Sequence, residues 1–363
     1  MKIKLIDICS PKQWKTIPTD ELLDDGYPVY GANGLIGYSN VYNHKDSVIA
    51  ITCRGASCGS VNITPPFSYV TGNAMCLDEV KHNIDINYLY YFLKNYNFKN
   101  IISGSAQPQI TRQGLNKVYV RYYSPTKQKQ IVSRLKCIST IIELKKIELN
   151  KFDDLIKARF VEMFGDYLKD DRRPLSEVAI ITGGLTKNSN RNTFETKMPY
   201  LRVANVFYNR LDLREILKIG VKEEEIEKTL LQAGDLLFVE GNGSIEQIGR
   251  VAIWDGSIDP ILHQNHLIKA RFNNEIIAPE YALFYFMLQD GRQQIISKSV
   301  STSGLNTLSV NKVSSLLLPI PPIALQNQFA NFVRQVDKSR EEVKKSLEKT
   351  QQLYDSLMQE YFG

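Results

Sequence analysis

KQKQIVSRLKCISTIIELKKIELNKFDDLIKARFVEMFG, residues 127 to 165, and LQNQFANFVRQVDKSREEVKKSLEKTQQLYDSLMQEYFG, residues 325 to 363, are one segment written twice. The copies align without a gap: Gln128 falls on Gln326, Gln130 on Gln328, Leu135 on Val333, Leu149 on Leu347, Glu162 on Glu360, and Phe164-Gly165 on Phe362-Gly363. Ile131, Leu135, Ile138, Ile142, Leu149, Phe152, Ile156 and Met163 keep alternating steps of three and four, the seam spacing of a coiled coil. Phe329, Val333, Val336, Val343, Leu347, Tyr354, Leu357 and Tyr361 repeat that frame. Proline-rich sequence precedes each copy and none lies within it, so each reads as a helix of about 36 residues, roughly 54 Å at ~1.5 Å per residue. A helix that long buries little against its own domain, and pairing of the two copies supplies the missing partner. Where one copy has a polar seam residue the other is apolar: Lys145 matches Val343, and Arg340 matches Ile142.

What precedes each helix is also repeated. The first head, about residues 1 to 123, contains YPVYGANGLIGYSN (27 to 40), whose Asn33-Gly34 reads as a tight hairpin turn. It continues with SVIAITCRG (47 to 55), a buried strand ending in an arginine loop, and DINYLYYFLKN (85 to 95), an amphipathic helix. The second head, about 170 to 321, follows the same order with MPYLRVANV (198 to 206), GDLLFVEGNGSIEQIGRVAIWD (234 to 255) and APEYALFYFMLQ (278 to 289). Asn116-Lys117-Val118 matches Asn311-Lys312-Val313 at the strand that leads into each long helix. The repeat unit is head plus helix, present twice. The expected architecture is α+β: two similar mixed α/β heads separated by two long antiparallel coiled-coil helices, with pseudo-two-fold symmetry. The segments are 1–125 for the first head, 126–165 for its helix, 166–323 for the second head and 324–363 for the second helix.

Composition bounds the function. Hydrophobic residues make up 43% and charged residues 23% of the 363, ordinary values for globular domains. No apolar run approaches the roughly 18 residues that cross a bilayer, and Met1-Lys2-Ile3 opens no signal peptide, so a soluble cytoplasmic protein is expected. Five cysteines without a CxxC pair suggest reduced thiols, and the net charge of +6 is compatible with a polyanionic partner.

Motifs that carry chemistry are few. Thr64-Pro65-Pro66-Phe67 resembles the Pro-Pro-aromatic motif of enzymes that methylate exocyclic amino groups, but the first position lacks the usual acidic or amide residue. Gly241 and Gly243 form a lone GxG with no helix after it. His263 and His266 have no third ligand nearby, and the four histidines and five cysteines form no cluster in sequence, so no metal site is expected. No catalytic residue is assigned. Loops rich in base-reading side chains remain. In the first head these are Tyr30, Asn33, Lys45, Arg54, Gln107, Gln109 and Arg112. In the second they are Lys187, Arg191, Arg202, Asn205, Asn242, Ser244, Gln247, His263, Gln264, Asn265 and Asn306. Arg and Lys pair with guanine, and Asn and Gln with adenine, in the major groove.

The paired head-helix layout, PVYGANGLIGY, RGASCGSV, GDLLFVEGNGSIEQIGR, the NKV-strand entry through PIPP-Q, and the FVEMFG and LMQEYFG helix ends together resemble the DNA specificity (S) subunit of type I restriction-modification enzymes. That resemblance covers essentially the whole chain. It implies that each head is a target recognition domain reading one half of a split double-stranded site. It implies further that the helices set the spacer and dock methyltransferase (M) subunits. S-adenosylmethionine and ATP/Mg would belong to the partners, the M subunits and a restriction/translocase (R) subunit, and no cofactor to this chain. Glu240 departs from related loops, which often carry a basic residue there. Two other readings follow from the residues: a stand-alone amino methyltransferase built around TPPF, and a coiled-coil scaffold that does not bind DNA.

Overall fold

The computed structural model describes residues 1–32, 34–104, 107–169, 172–302 and 304–363. The chain forms two units, residues 1–147 with 344–363 and residues 148–343. Each repeated segment is one uninterrupted helix, Pro125–Phe164 and Ile323–Phe362. The first begins on Pro125 itself, a proline in the first turn, where its missing N–H leaves nothing unpaired.

In the first unit, four antiparallel strands run in the order Ser10–Lys12, Ala74–Asp78, Ile49–Thr52, Val61–Ile63. A second sheet places Tyr27–Gly31 between Gly34–Ser39, antiparallel, and Tyr69–Val70, parallel. IAIT is buried at every position, since it is a central strand covered on both faces. Helix Ile86–Asn95 starts where Asp85 accepts hydrogen bonds from the N–H groups of Asn87 and Tyr88, the preferred N-cap arrangement. Its buried face, Tyr88, Leu89, Phe92 and Leu93, shares one core with Ile131, Leu135, Met358 and Tyr361 from the long helices. Arg134 Nη1 donates to Tyr361 Oη at 3.2 Å and Lys145 Nζ to Ser346 Oγ at 2.9 Å. Partner numbers fall as helix numbers rise, so the helices are antiparallel here.

The second unit repeats this topology. Its four-stranded antiparallel sheet runs Ala179–Gly183, Leu267–Phe272, Leu236–Val239, Val251–Ile253. Lys197–Leu201 lies between Leu217–Gly220, antiparallel, and Leu262–His263, parallel. Both orders match the first head strand for strand. Phe160 sits 5.5 Å from Tyr281 and 5.3 Å from Phe329, ring to ring, and Arg340 Nη2 donates to Asp153 Oδ1 at 2.5 Å. The helices are therefore antiparallel in this unit as well. The polar seam positions, Lys145 and Arg340, each donate to a side chain of the opposite helix, which offsets part of the cost of burying them.

Gln128 and Gln326, equivalent in sequence, do the same work. Both are fully buried. Gln128 Oε1 accepts from Asp85 N–H at 2.8 Å, while its Nε2 donates to the carbonyls of Asn83 and Tyr123 at 3.2 and 2.8 Å. Gln326 Oε1 accepts from Ala278 N–H at 2.9 Å, while its Nε2 donates to Ile276 and Pro321 at 3.0 and 2.8 Å. Each glutamine therefore locks the first turn of a long helix onto the N-terminus of the short helix in its own head.

Candidate nucleic-acid interface

The same backbone frame carries candidate residues in both heads. In the first head Gly59 N–H donates to Thr52 O at 2.9 Å and Ile110 N–H to Cys53 O at 3.0 Å. In the second, Gly249 N–H donates to Val239 O at 3.1 Å and Leu308 N–H to Glu240 O at 2.7 Å. Gly59 and Gly249 both have positive φ, 95° and 60°, closing the loop that follows the buried strand, where a Cβ would be strained. Arg54 and Ser103 both bridge to Gln109 in the first head. In the second, Gly241 and Val300 pair with Thr307, where strands Gly241–Asn242, Leu305–Thr307 and Val300–Thr302 form a small sheet. The post-strand loop is six residues in one head, 53 to 58, and nine in the other, 240 to 248.

This frame gathers Arg54, Gln107, Gln109 and Arg112 in the first head, all exposed. In the second it gathers Asn242, Ser244, Gln247 and Asn306, with Asn306 Nδ2 donating to Gly243 O at 3.3 Å. Lys187, Gln264 and Asn265 lie on adjoining turns, tied by Asn265 N–H to Leu185 O at 2.9 Å. Arg202 is half-buried and paired with Glu215 at 2.7 Å. Lys45 is exposed on a separate loop, and Tyr30 is half-buried against the core of the first head. Asn33 lies outside the described residues.

Three expectations are corrected. Arg191 is 7% exposed and donates to Gly220 O at 3.0 Å, to both oxygens of Glu225 at 3.0 and 2.8 Å, and to Thr186 O. Asn205 is 3% exposed, accepts from Arg202 N–H at 2.9 Å and donates to the carbonyls of Asp212 and Glu215 at 2.8 and 3.0 Å. His263 has no exposure, and its Nδ1 lies 2.8 Å from Thr229 O. All three side chains are buried inside the head, so none offers an edge to a base. The Pro-Pro-aromatic motif is likewise structural: Thr64 Oγ1 accepts from Val48 N–H at 3.2 Å in the interior. Glu240 meets His266 Nδ1 at 2.8 Å, so its carboxylate has a local partner. The sequence reading also missed Arg292, which donates to Ile248 O at 2.6 Å and reaches the carbonyls of Ile245 and Glu246. It fastens the 240–248 loop from a helix more than forty residues away, a separation that carries no local signal.

Burial of His263 pushes its pKa down from 6.5 to about 4. Between those values the unfolded chain binds a proton that the folded one refuses, so stability falls as pH drops through this window and is fully present above it. Wild type should lose about 3 kcal/mol more than His263→Gln between neutral pH and about pH 4, read as urea midpoints of the second unit. Parallel losses in both proteins would contradict the assignment.

A profile described as the type I restriction modification DNA specificity domain matches residues 1–152 and again 171–352. The type I restriction enzyme MjaX specificity subunit of Methanocaldococcus jannaschii is 27% identical over 219 residues, 60% of this chain and 50% of that one. The EcoKI specificity subunit of Escherichia coli is 28% identical over 173 residues, 45% of this chain and 36% of that one. This chain therefore spans about half the length of the first of these relatives and about a third of the second. A crystal structure of a type I restriction-modification S subunit from M. genitalium has the same fold, with a TM-score of 0.59 at 16% identity, covering 100% of this chain and 96% of that one. With the family pattern matched twice along its length, the chain belongs to the type I restriction-modification DNA specificity family.

Proposed function

We propose that this chain is the sequence-reading subunit of a type I restriction-modification assembly, in which each head reads one half of a bipartite double-stranded DNA site. The supporting observation is that both heads offer polar loop residues at the same place on one topology, with loops of different length and chemistry. Arg54, Gln107, Gln109 and Arg112 form the first reading edge. Asn242, Ser244, Gln247 and Asn306 form the second, with Lys187, Arg202, Gln264 and Asn265 beside it. Residues 126–165 and 324–363 set the spacer between half-sites and dock methyltransferase subunits, while 1–125 and 166–323 are the recognition domains. Ile141, Leu144 and Ile147 support docking, being 39%, 59% and 50% exposed on the first long helix, more apolar surface than a solvated helix needs. Methyl and phosphoryl transfer, with S-adenosylmethionine and ATP/Mg, belong to the partner M and R subunits, and this chain is not itself an enzyme. No helix among the described residues is long and apolar enough to cross a membrane, and cytoplasmic DNA is the matching substrate.

The test is an exchange. Replacing residues 1–123 by the first head of another family member, in the complex with methyltransferase subunits, should change one half of the methylated sequence and leave the other unchanged. A change in both halves, or in neither, would overturn independent reading. Affinity should also fall by about 0.9 log unit per log unit of salt for each phosphate contacted.

A further inference from the structure

The sequence shows no cluster of metal-ligating residues, but the fold of the first head makes one. Cys76 and Asp78 are two apart on strand Ala74–Asp78, so their side chains leave the same face. His44 reaches them from the preceding loop, held by reciprocal backbone hydrogen bonds between His44 and Ser68 at 3.0 and 3.1 Å. One ligand atom from each of the three lies within 4.8 Å of the other two.

Its neighbours fix the orientation of the histidine ring. The Asn43 amide is oriented by Val70: its Nδ2 donates to Val70 O and its Oδ1 accepts from Val70 N–H, both at 2.9 Å. That same Oδ1 lies 2.6 Å from His44 Nδ1, so Nδ1 is the donor. In the neutral ring Nε2 is then a bare lone pair, and it faces Asp78 Oδ1 at 3.0 Å. Two acceptors at that distance repel unless a second proton or a metal ion lies with them. Asp78 Oδ2 is already held by Trp14 Nε1–H at 3.1 Å.

Cys76 decides between proton and metal. Its thiol is fully buried and has no hydrogen bond among the described residues. A proton on His44 would leave that sulfur idle, whereas an ion takes it as a third ligand. We propose that His44, Cys76 and Asp78 hold a divalent transition-metal ion of the zinc type. Nitrogen, sulfur and oxygen donors suit such an ion, and at ligand distances of ~2.0–2.1 Å a tetrahedral N···O edge measures about 3.3 Å, close to the observed separation. Thiolate and carboxylate together carry two negative charges, which a 2+ ion cancels, so the filled site is neutral where burial penalises net charge. Burial and the Asp78 charge raise the Cys76 pKa far above the ordinary thiol range, and coordination removes that proton outright. Asn43 fixes the ring as outer partners of metal-bound histidines do. A cleft of about 560 Å³, lined in part by Lys45, Asp46, Glu79 and His82, leaves room for water as the fourth ligand. The ion would staple to the sheet the loop that presents Lys45.

The test is titration of the full-length, metal-stripped chain with cobalt(II). One ion per chain should bind, with the intense visible bands of a tetrahedral site and a thiolate-to-cobalt charge-transfer band in the near-ultraviolet. Cys76→Ser and His44→Gln should abolish the charge-transfer band. Asn43→Ala should weaken binding about 10- to 100-fold, and Cys137→Ser, which removes an exposed thiol of the first long helix, should change nothing. A wild-type chain without the charge-transfer band overturns the proposal whatever the variants do. A band that survives Cys76→Ser, or disappears in Cys137→Ser, overturns it too.

Discussion

Arg191→Ala should lower the stability of the second unit by about 3 kcal/mol, whereas Arg54→Ala should leave the stability of the first unit almost unchanged and weaken DNA discrimination at one base pair. An exposed ion pair contributes about 0–1 kcal/mol, but breaking a buried one costs about 3–5. The Arg191 guanidinium side chain is 8% exposed and Glu225 28%, so the expected cost lies near the low end of the buried range. Arg191 also satisfies the carbonyls of Gly220 and Thr186, and alanine leaves both with a donor lost. Because Arg191 depresses the Glu225 pKa, the pair's contribution is present above the ordinary carboxylate range and lost as pH falls through the depressed value. Among the described residues Arg54 has no such partners, and it is exposed; a base-reading arginine is worth about 1–3 kcal/mol of discrimination. Urea unfolding and binding to single-base-substituted sites separate the two. Equal stability losses in both variants, or wild-type discrimination in Arg54→Ala, would count against the division made here.

Gln326→Leu should destabilise the second unit by about 3–5 kcal/mol, and Gln128→Leu should do the same to the first. Leucine fills similar space but abandons one buried N–H and two carbonyls in each head, and an unsatisfied buried polar group costs about 1–3 kcal/mol. The sum sits below three full penalties because a carbonyl has two lone pairs and accepts a weaker partner more readily than an N–H finds a new acceptor. The chain has two tryptophans, Trp14 in the first unit and Trp254 in the second, so fluorescence of single-tryptophan versions reports each unit separately. Gln128→Leu should move the Trp14 transition and Gln326→Leu the Trp254 transition. A loss below about 1 kcal/mol in either would mean that water replaces the amide.

Sequence alone was enough for the repeat, the two long helices and the match between heads. Helix periodicity and a gapless copy are local properties of the chain, and so is the hairpin character of residues 27 to 40, which form the paired strands Tyr27–Gly31 and Gly34–Ser39. The alignment of Gln128 with Gln326 was equally visible, but not what the amides do, because their partners are backbone groups up to fifty residues away. Residue type named Arg54 and Arg191 as equals, and only tertiary structure put one on the surface and the other inside. A loop's composition does not say which of its side chains turn inward, since that depends on where a strand such as Leu217–Gly220 or a helix such as Glu223–Thr229 passes beneath it. For the same reason His263 reads as a loop residue in sequence and is buried in the fold, and Asn242 meets Asn306 only because two segments 64 residues apart share a ladder. The convergence of His44 on Cys76 and Asp78 lies wholly on that side of the line: spacing along the chain showed no ligand set, and a loop held by Ser68 beside a central strand created it.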